Sequence, residues 1–154
     1  MRFSSLALLS LTSGVFCAPS HPSLRAEDWK LALGWNGKTT TPAQLDPSNV
    51  VKPTSGKPAP AAISGGVYFC TDANFKGQCL FVSGFAENQC VNFGNEFNDK
   101  VSSFGPDPGL ACLLWSDWNC AGTNAGGWLV NPGSSNLAQH NFNDVASSFR
   151  CRAA

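Results

Sequence analysis

Two oxygen-rich segments of the chain have nearly the same sequence and lie 45 residues apart. Residues 97–104 read FNDKVSSF and residues 142–149 read FNDVASSF, so six of eight positions are identical. Carboxylate, amide, hydroxyl and backbone carbonyl oxygens are the ligands that Ca²⁺ prefers, in sets of about six to eight. A single string of this kind is typical of an ordinary turn, because Asn, Asp and Ser bond to nearby backbone groups. Its repetition in register indicates a pair of divalent-cation sites.

The repeat extends beyond these two loops. The same offset relates Gly77 to Gly122 and Asp72 to Asp117. A fixed offset predicts two copies of one supersecondary unit, each of which needs the other to bury its apolar face.

Short apolar runs, separated by glycine and asparagine, predict four strands in each copy. In the first copy they cover 67–70, 78–82, 90–93 and 101–104; in the second they cover 111–115, 127–130, a weaker segment near Leu137, and 146–151. Eight strands with turn signals at close spacing favour an all-β sandwich.

Six of the seven cysteines lie between residues 70 and 151: Cys70, Cys79, Cys90, Cys112, Cys120 and Cys151. In an exported chain an even number of cysteines predicts disulfides, here three pairs. Zinc binding is disfavoured, because no two of these cysteines are separated by only two residues and His140 is the one histidine among them. Six cysteines allow many connectivities, so the pairing stays open.

The first 18 residues have the pattern of a signal peptide. Arg2 precedes an apolar run that ends in small residues, and the run is too short to span a bilayer. The cut is expected after Cys17 or a few residues later. No later stretch is apolar enough for a membrane helix, so we expect a secreted, extracellular protein without a membrane span.

Residues 19–63 are predicted to be a disordered linker or propeptide. Seven of the ten prolines lie between residues 19 and 66, and this region has no sustained apolar period. Residues 26–35, AEDWKLALGW, are the exception, since their apolar side chains suit one or two helical turns ending at Gly34. Isolated helices this short are marginal in water, so a linker with one apolar patch is favoured over a partner-binding tag.

The charge balance excludes some classes of function. Residues 64–154 carry four Lys and Arg against seven Asp and Glu, a net charge of −3. Nucleic acid is not an expected partner, because binding to phosphates uses clustered Lys and Arg. We also expect no enzyme, since His140 has no evident nucleophile, the cysteines are assigned to disulfides, and no pair of acids stands out by spacing.

Together these motifs resemble the βγ-crystallin family. Its pattern is an aromatic, four residues, an aromatic, one residue and a glycine, followed by a loop of two Asn/Asp, two residues, Ser/Thr and Ser. Phe75 and Gly77 match the end of the first motif, with Cys70 in the leading aromatic place; Trp115 leads the second, with Cys120 in the later aromatic place. We infer that these cysteines replace aromatic packing by covalent links.

The resemblance covers residues 66–152 and implies two four-stranded Greek-key motifs, at 66–106 and 109–152. They would form a βγ-crystallin-like β-sandwich over residues 64–152, preceded by the disordered N-terminal segment. The resemblance also implies two calcium sites that the loops share. The implied ligands are oxygens of Asn98, Asp99, Lys100 and Ser102 in the first loop and of Asn143, Asp144, Val145 and Ser147 in the second.

We therefore expect a secreted, monomeric, calcium-binding structural module that two ions stabilise. Two alternatives stay open. Some secreted proteinase inhibitors resemble this fold, so a proteinase is one possible partner. Exposed aromatics such as Trp118 and Trp128 would instead suit an antimicrobial protein or one that binds a cell-surface ligand.

Overall fold

The strands form where apolar side chains alternate between the two faces of a sheet. The structure, a computed structural model, describes residues 28–52 and 56–154. In the first strand Val67 and Phe69 face the core of the sandwich, whereas Tyr68 and Cys70 join a second apolar cluster. Both faces of this strand are therefore buried.

Seven strands and three short α-helices make up the described part of the chain. The strands are β1 (Gly66–Asp72), β2 (Lys76–Ser83), β3 (Cys90–Asn92), β4 (Ser103–Pro106), β5 (Leu110–Trp115), β6 (Leu129–Val130) and β7 (Ser148–Ala153). The helices are α1 (Asp28–Ala32), α2 (Pro42–Leu45) and α3 (Gly94–Phe97), and 3₁₀ turns cover Pro47–Asn49, Trp118–Cys120 and Leu137–His140. No described helix is long and apolar enough to cross a membrane.

The two copies exchange strands across two antiparallel sheets. One sheet has the order β2-β1-β4 and the other the order β3-β7-β5-β6. Strand β3 comes from the first copy but pairs with β7 of the second. In the opposite direction, Ser134 of the second copy forms an antiparallel bridge with Phe104 in β4 of the first copy. Each copy therefore completes the sheet of the other.

The prediction of a third strand in the second copy, near Leu137, is wrong. Residues Leu137–His140 form a 3₁₀ turn instead. The segment meets the first copy through the bridge of Ser134 with Phe104 and through the hydrogen bond from the Leu137 N–H to the Ser102 carbonyl. The Asn136 side chain accepts a hydrogen bond from the N–H of Ala138, which caps the turn. Leu137 is still fully buried, so the apolar signal in the sequence marked a core residue rather than a strand. The strand predicted at 127–130 is also shorter than expected, since β6 has two residues.

The core between the sheets is built largely from phenylalanine. Phe104 and Phe149 occupy equivalent positions in the two copies, and their ring centroids lie 5.6 Å apart. Phe93 contacts both Phe69 and Phe149, at 4.9 and 5.3 Å between centroids. These rings are fully buried, and such aromatic pairs add about 0.5–1.5 kcal/mol each beyond the area that they bury.

The β1–β2 hairpin and its counterpart in the second copy have the same backbone. Phe75 has a φ of 55° and Cys120, at the equivalent position, has a φ of 56°. Gly77 and Gly122 also match, with φ values of 76° and 75°. A Cβ atom at Gly77 would lie 2.8 Å from the carboxylate of Asp72, so the fold requires glycine there.

The three predicted disulfides form, and they use the six predicted cysteines. Cys70–Cys79 joins β1 to β2 and Cys112–Cys151 joins β5 to β7, each inside one copy. Cys90–Cys120 is different, because it ties β3 of the first copy to the second. In the first copy Phe75 stacks on Tyr68; in the second copy Cys120 replaces that aromatic and forms the link between copies.

Residues 28–52 differ from the disorder predicted for 19–63. Helix α1 and the residues after it lie against the outer face of the β2-β1-β4 sheet, where Trp29 and Trp35 contact Tyr68 and Phe81. Of the helical pattern found at 26–35, residues 28–35 are thus part of the folded domain. The predicted signal peptide, residues 1–18, and the rest of 1–27 and 53–55 lie outside the described residues.

The same segment covers an edge strand of each sheet. Thr40 pairs with β2: its N–H donates to the Phe81 carbonyl and its carbonyl accepts from the Ser83 N–H. The side chain of Asn49 binds the backbone of Asn92 in β3 through its amide and its carbonyl. Exposed sheet edges carry unpaired backbone groups that invite pairing with other chains, so the segment protects both edges.

Candidate metal centre

The two oxygen-rich loops begin and end at elements that fix their positions. The first follows α3 and leads into β4, and the second leads into β7. Asp99 and Asp144 occupy equivalent places, and each has a φ of 54°. Asp tolerates this left-handed conformation better than most residues, because its side chain can bond locally. The repeated Asn-Asp pair is therefore suited to the sharp bend in each loop.

The loops cross, so that each aspartate meets the other copy. The Ser102 hydroxyl donates to Asp144 Oδ1 at 2.9 Å, and the Ser147 hydroxyl donates to Asp99 Oδ1 at 3.1 Å. The backbone repeats the exchange: the Asp99 N–H donates to the Ala146 carbonyl and the Asp144 N–H to the Val101 carbonyl. The structure thus brings together the predicted residues of both loops at one place. Loops at opposite ends of the domain would have been incompatible with shared sites.

The asparagines beside the aspartates orient the carboxylates. Asn98 donates through Nδ2 to Asp99 Oδ2, and Asn143 donates to Asp144 Oδ2, both at 2.8 Å. This leaves the amide oxygen of Asn98 buried and without a hydrogen-bond partner within residues 28–52 and 56–154. A buried acceptor without a donor is costly, and a cation would satisfy it.

The residues present fit calcium. Besides Asn98 Oδ1, the backbone carbonyls of Lys100 and Val145 accept no hydrogen bond from the described residues, so their oxygens are available. Lys100 is exposed, so its ammonium can extend into solvent while its carbonyl oxygen stays available to a cation. No three His, Cys, Asp or Glu side chains gather as a metal cluster in the described residues. The set consists mainly of neutral oxygens with one carboxylate from each loop, which is hard-cation chemistry.

Sequence reasoning missed the role of the last serine in each loop. Ser103 donates to the Asp72 carbonyl and accepts from the Phe75 N–H. Ser148 makes the same two bonds, donating to the Asp117 carbonyl and accepting from the Cys120 N–H. In each Ser-Ser pair, therefore, the first serine faces the other loop and the second fastens the folded hairpin. The 45-residue offset that relates Asp72 to Asp117 was the signal that could have revealed this pairing.

Comparison with protein-family models and with curated protein sequences gives no match. Comparison with solved structures gives βγ-crystallin domains. One, solved in work on the evolution of the eye lens βγ-crystallin domain fold, is 28% identical over 68% of this chain and 97% of that chain, with a TM-score of 0.49. A domain from Flavobacterium johnsoniae is 25% identical over 56% of this chain and 93% of that chain, with a TM-score of 0.44.

A third similar structure is a double mutant of clostrillin in complex with nickel. It is 17% identical over 57% of this chain and 98% of that chain, with a TM-score of 0.44. The duplicated Greek-key topology and the crossed Asn-Asp loops are properties of this chain itself. Among the solved structures, the chain is thus similar to βγ-crystallin domains.

Proposed function

We propose that the chain is an exported, non-enzymatic structural module whose two copies are tied together by calcium at the crossed loops. The observation that supports this most directly is the reciprocal contact of Ser102 with Asp144 and of Ser147 with Asp99. A cation held by oxygens of one loop would therefore also contact oxygens of the other loop. Binding would stabilise the contact between the copies without any change of fold.

The chemistry of the loops supports modest and unequal affinities. One carboxylate per loop is few for a calcium site, and extracellular modules of low charge have Kd values on the order of 0.1–1 mM. With Kd about 0.1 mM and calcium about 1 mM, one site adds about 1.4 kcal/mol to the free energy of unfolding. The ammonium of Lys100 weakens the nearer site, whereas Val145 brings no charge to the other.

Calcium titration of the oxidised chain by calorimetry tests the proposal. We expect two ions per chain, a melting temperature that rises with calcium, and its return when a chelator is added. Asp99→Ala combined with Asp144→Ala should remove both responses. Glu87→Ala is the matched control, because it deletes an exposed carboxylate outside the loops. An absent heat of binding, or equal responses in the control and the double variant, would contradict the proposal.

Export is supported by the cysteine chemistry. Three disulfides require an oxidising compartment, and residues 1–18 carry the signal-peptide pattern. We expect N-terminal sequencing of the protein from culture medium to begin after Cys17 or a few residues later. A chain that keeps Met1 and stays inside the cell would contradict this. Inhibition of proteinases and antimicrobial binding to cell surfaces stay predictions, which panel inhibition and growth assays check.

A further inference from the structure

The outer face of the β3-β7-β5-β6 sheet carries two arginines. In β7, Phe149 and Cys151 face the core, so Arg150 and Arg152 face outward. The register places Arg150 opposite Leu113 in β5 and Arg152 opposite Ala111, and cross-strand partners share a face. On this face of the sheet, each arginine therefore lies beside an apolar side chain of β5.

These arginines alternate with two tryptophans. The guanidinium of Arg152 lies 4.2 Å from the ring centroid of Trp128, and that of Arg150 lies 5.9 Å from Trp128 and 5.4 Å from Trp115. We call Trp115, Arg150, Trp128 and Arg152 the Arg–Trp ladder. A guanidinium that stacks on an indole loses little further entropy when the N–H groups at its edge bind an acceptor.

The ladder has hydrogen-bond donors that no carboxylate of the described residues matches. Among the described residues the one ion pair joins Lys30 to Asp107, so neither arginine of the ladder is paired with a carboxylate there. Arg150 Nε and Trp115 Nε1 are both buried, and neither has a hydrogen-bond partner in the part of the chain that the structure describes. Unsatisfied buried donors cost about 1–3 kcal/mol each. An acceptor from outside would bind the guanidinium of Arg152, which is exposed, and the terminal nitrogens of Arg150, which is half-buried.

The repeat shows how the equivalent face of the other sheet is used. The 45-residue offset relates Arg152 to Asp107. Asp107 holds helix α1 of the N-terminal segment: it accepts from Lys30 Nζ at 2.6 Å and from Trp29 Nε1 at 3.0 Å. At the same position of the second copy the charge is reversed, and none of the described chain segments binds there.

We infer that the Arg–Trp ladder binds an acidic peptide segment of a partner protein. Arg150 and Arg152 are two residues apart on one strand, a separation of about 6.6–6.8 Å. Alternate side chains of an extended peptide have the same separation, so carboxylates at every second residue match both guanidiniums, each through bidentate bonds. Charge complementarity and the spacing of the two arginines on one strand thus favour an extended acidic chain. This inference does not depend on calcium.

A blocked hexapeptide in which glutamate alternates with valine is a suitable probe, with the glutamine version as its neutral match. Calorimetry with the oxidised chain should show saturable binding of the acidic peptide that weakens as salt rises, unchanged by a calcium chelator. The neutral peptide should not bind. Binding of both peptides alike, or of neither, would overturn the inference, as would binding of polygalacturonate in place of the peptide.

Arg152→Gln and Lys76→Gln form a matched pair of variants, because each removes one exposed positive charge and only the first belongs to the ladder. We expect Arg152→Gln to raise Kd for the acidic peptide about tenfold, the loss of one charge-assisted contact. Lys76→Gln should leave Kd unchanged. Equal weakening in both variants would show binding to net charge alone and would overturn the inference. Circular dichroism of both variants checks that the fold is retained.

Discussion

The ammonium of Lys30 lies 2.6 Å from the carboxylate of Asp107, and both side chains are almost completely buried. The same ammonium is 4.0 Å from the ring centroid of Phe81 and 5.1 Å from that of Trp35. Asp107 also accepts from the Gly66 N–H at the start of β1. One charge pair thus joins the N-terminal segment to the first strand and to the loop after β4.

Replacing Lys30 should destabilise the domain strongly. Lys30→Met keeps most of the apolar contact but leaves the buried Asp107 carboxylate without its counter-charge. Removal of one partner of a buried ion pair costs about 3–5 kcal/mol, and the remaining donors to Asp107 favour the lower end. The free energy of unfolding in urea measures the change.

Lys38→Met is the control, because Lys38 belongs to the same segment but is exposed. We expect its effect to stay within about 0.5 kcal/mol. Equal urea midpoints for the two variants would mean that the segment contributes nothing to stability.

Tyr68 offers a pH-dependent signal from the same region. Burial raises the pKa of Tyr68 above its ordinary value of 10.0, because the charged phenolate is poorly solvated there. Its neutral form therefore contributes stability that is fully present below pH 10 and is lost as pH rises through the folded-state pKa. Tyr68 is the chain's only tyrosine, so tyrosinate absorbance reports it alone.

Trp29 contacts Tyr68 edge-on, with 6.3 Å between ring centroids. Trp29→Ala should expose the phenol and move the absorbance midpoint down toward 10. The denatured chain gives the reference titration. A midpoint that is the same in the native protein, the variant and the denatured chain would refute the burial of Tyr68.

The duplicated architecture was predictable from the sequence, whereas contacts between distant segments were not. The loops that contain Asn98 and Asn143 have nearly the same sequence motif, and a repeated motif implies a repeated structure. Lys30 and Asp107 are 77 residues apart, and nothing near Lys30 indicates its partner. Proline-rich composition predicts disorder from the local chain alone, and here tertiary contacts decide otherwise for residues 28–52.

The disulfide between the two copies should contribute more stability than the hairpin disulfide. Cys90 and Cys120 are separated by 30 residues, and Cys70 and Cys79 by 9. The chain-entropy relation assigns about 1 kcal/mol more to the longer loop. We therefore expect Cys90→Ala with Cys120→Ala to lower the free energy of unfolding by about 3–4 kcal/mol, against about 2–3 kcal/mol for Cys70→Ala with Cys79→Ala. Urea unfolding of both double variants measures the difference, and the reverse order would contradict it.

Substitutions at the two adjacent serines of the second loop should affect metal binding and folding separately. Ser147 donates to Asp99 across the crossed loops, whereas Ser148 bonds to the Asp117 carbonyl and the Cys120 N–H. Ser147→Ala removes an oxygen near the proposed ions, so calcium affinity should fall about tenfold, equivalent to about 1.4 kcal/mol. Stability in chelator should change by no more than about 1 kcal/mol.

Ser148→Ala should have the opposite pattern. It leaves a backbone N–H and a carbonyl without their partner at a fully buried position, which costs about 1–3 kcal/mol in chelator. The rise in melting temperature on adding calcium should remain as large as in the unaltered chain. Melting in chelator and in calcium, measured for both variants, gives the comparison. Equal loss of the calcium response in both would show that the two serines do not divide these roles.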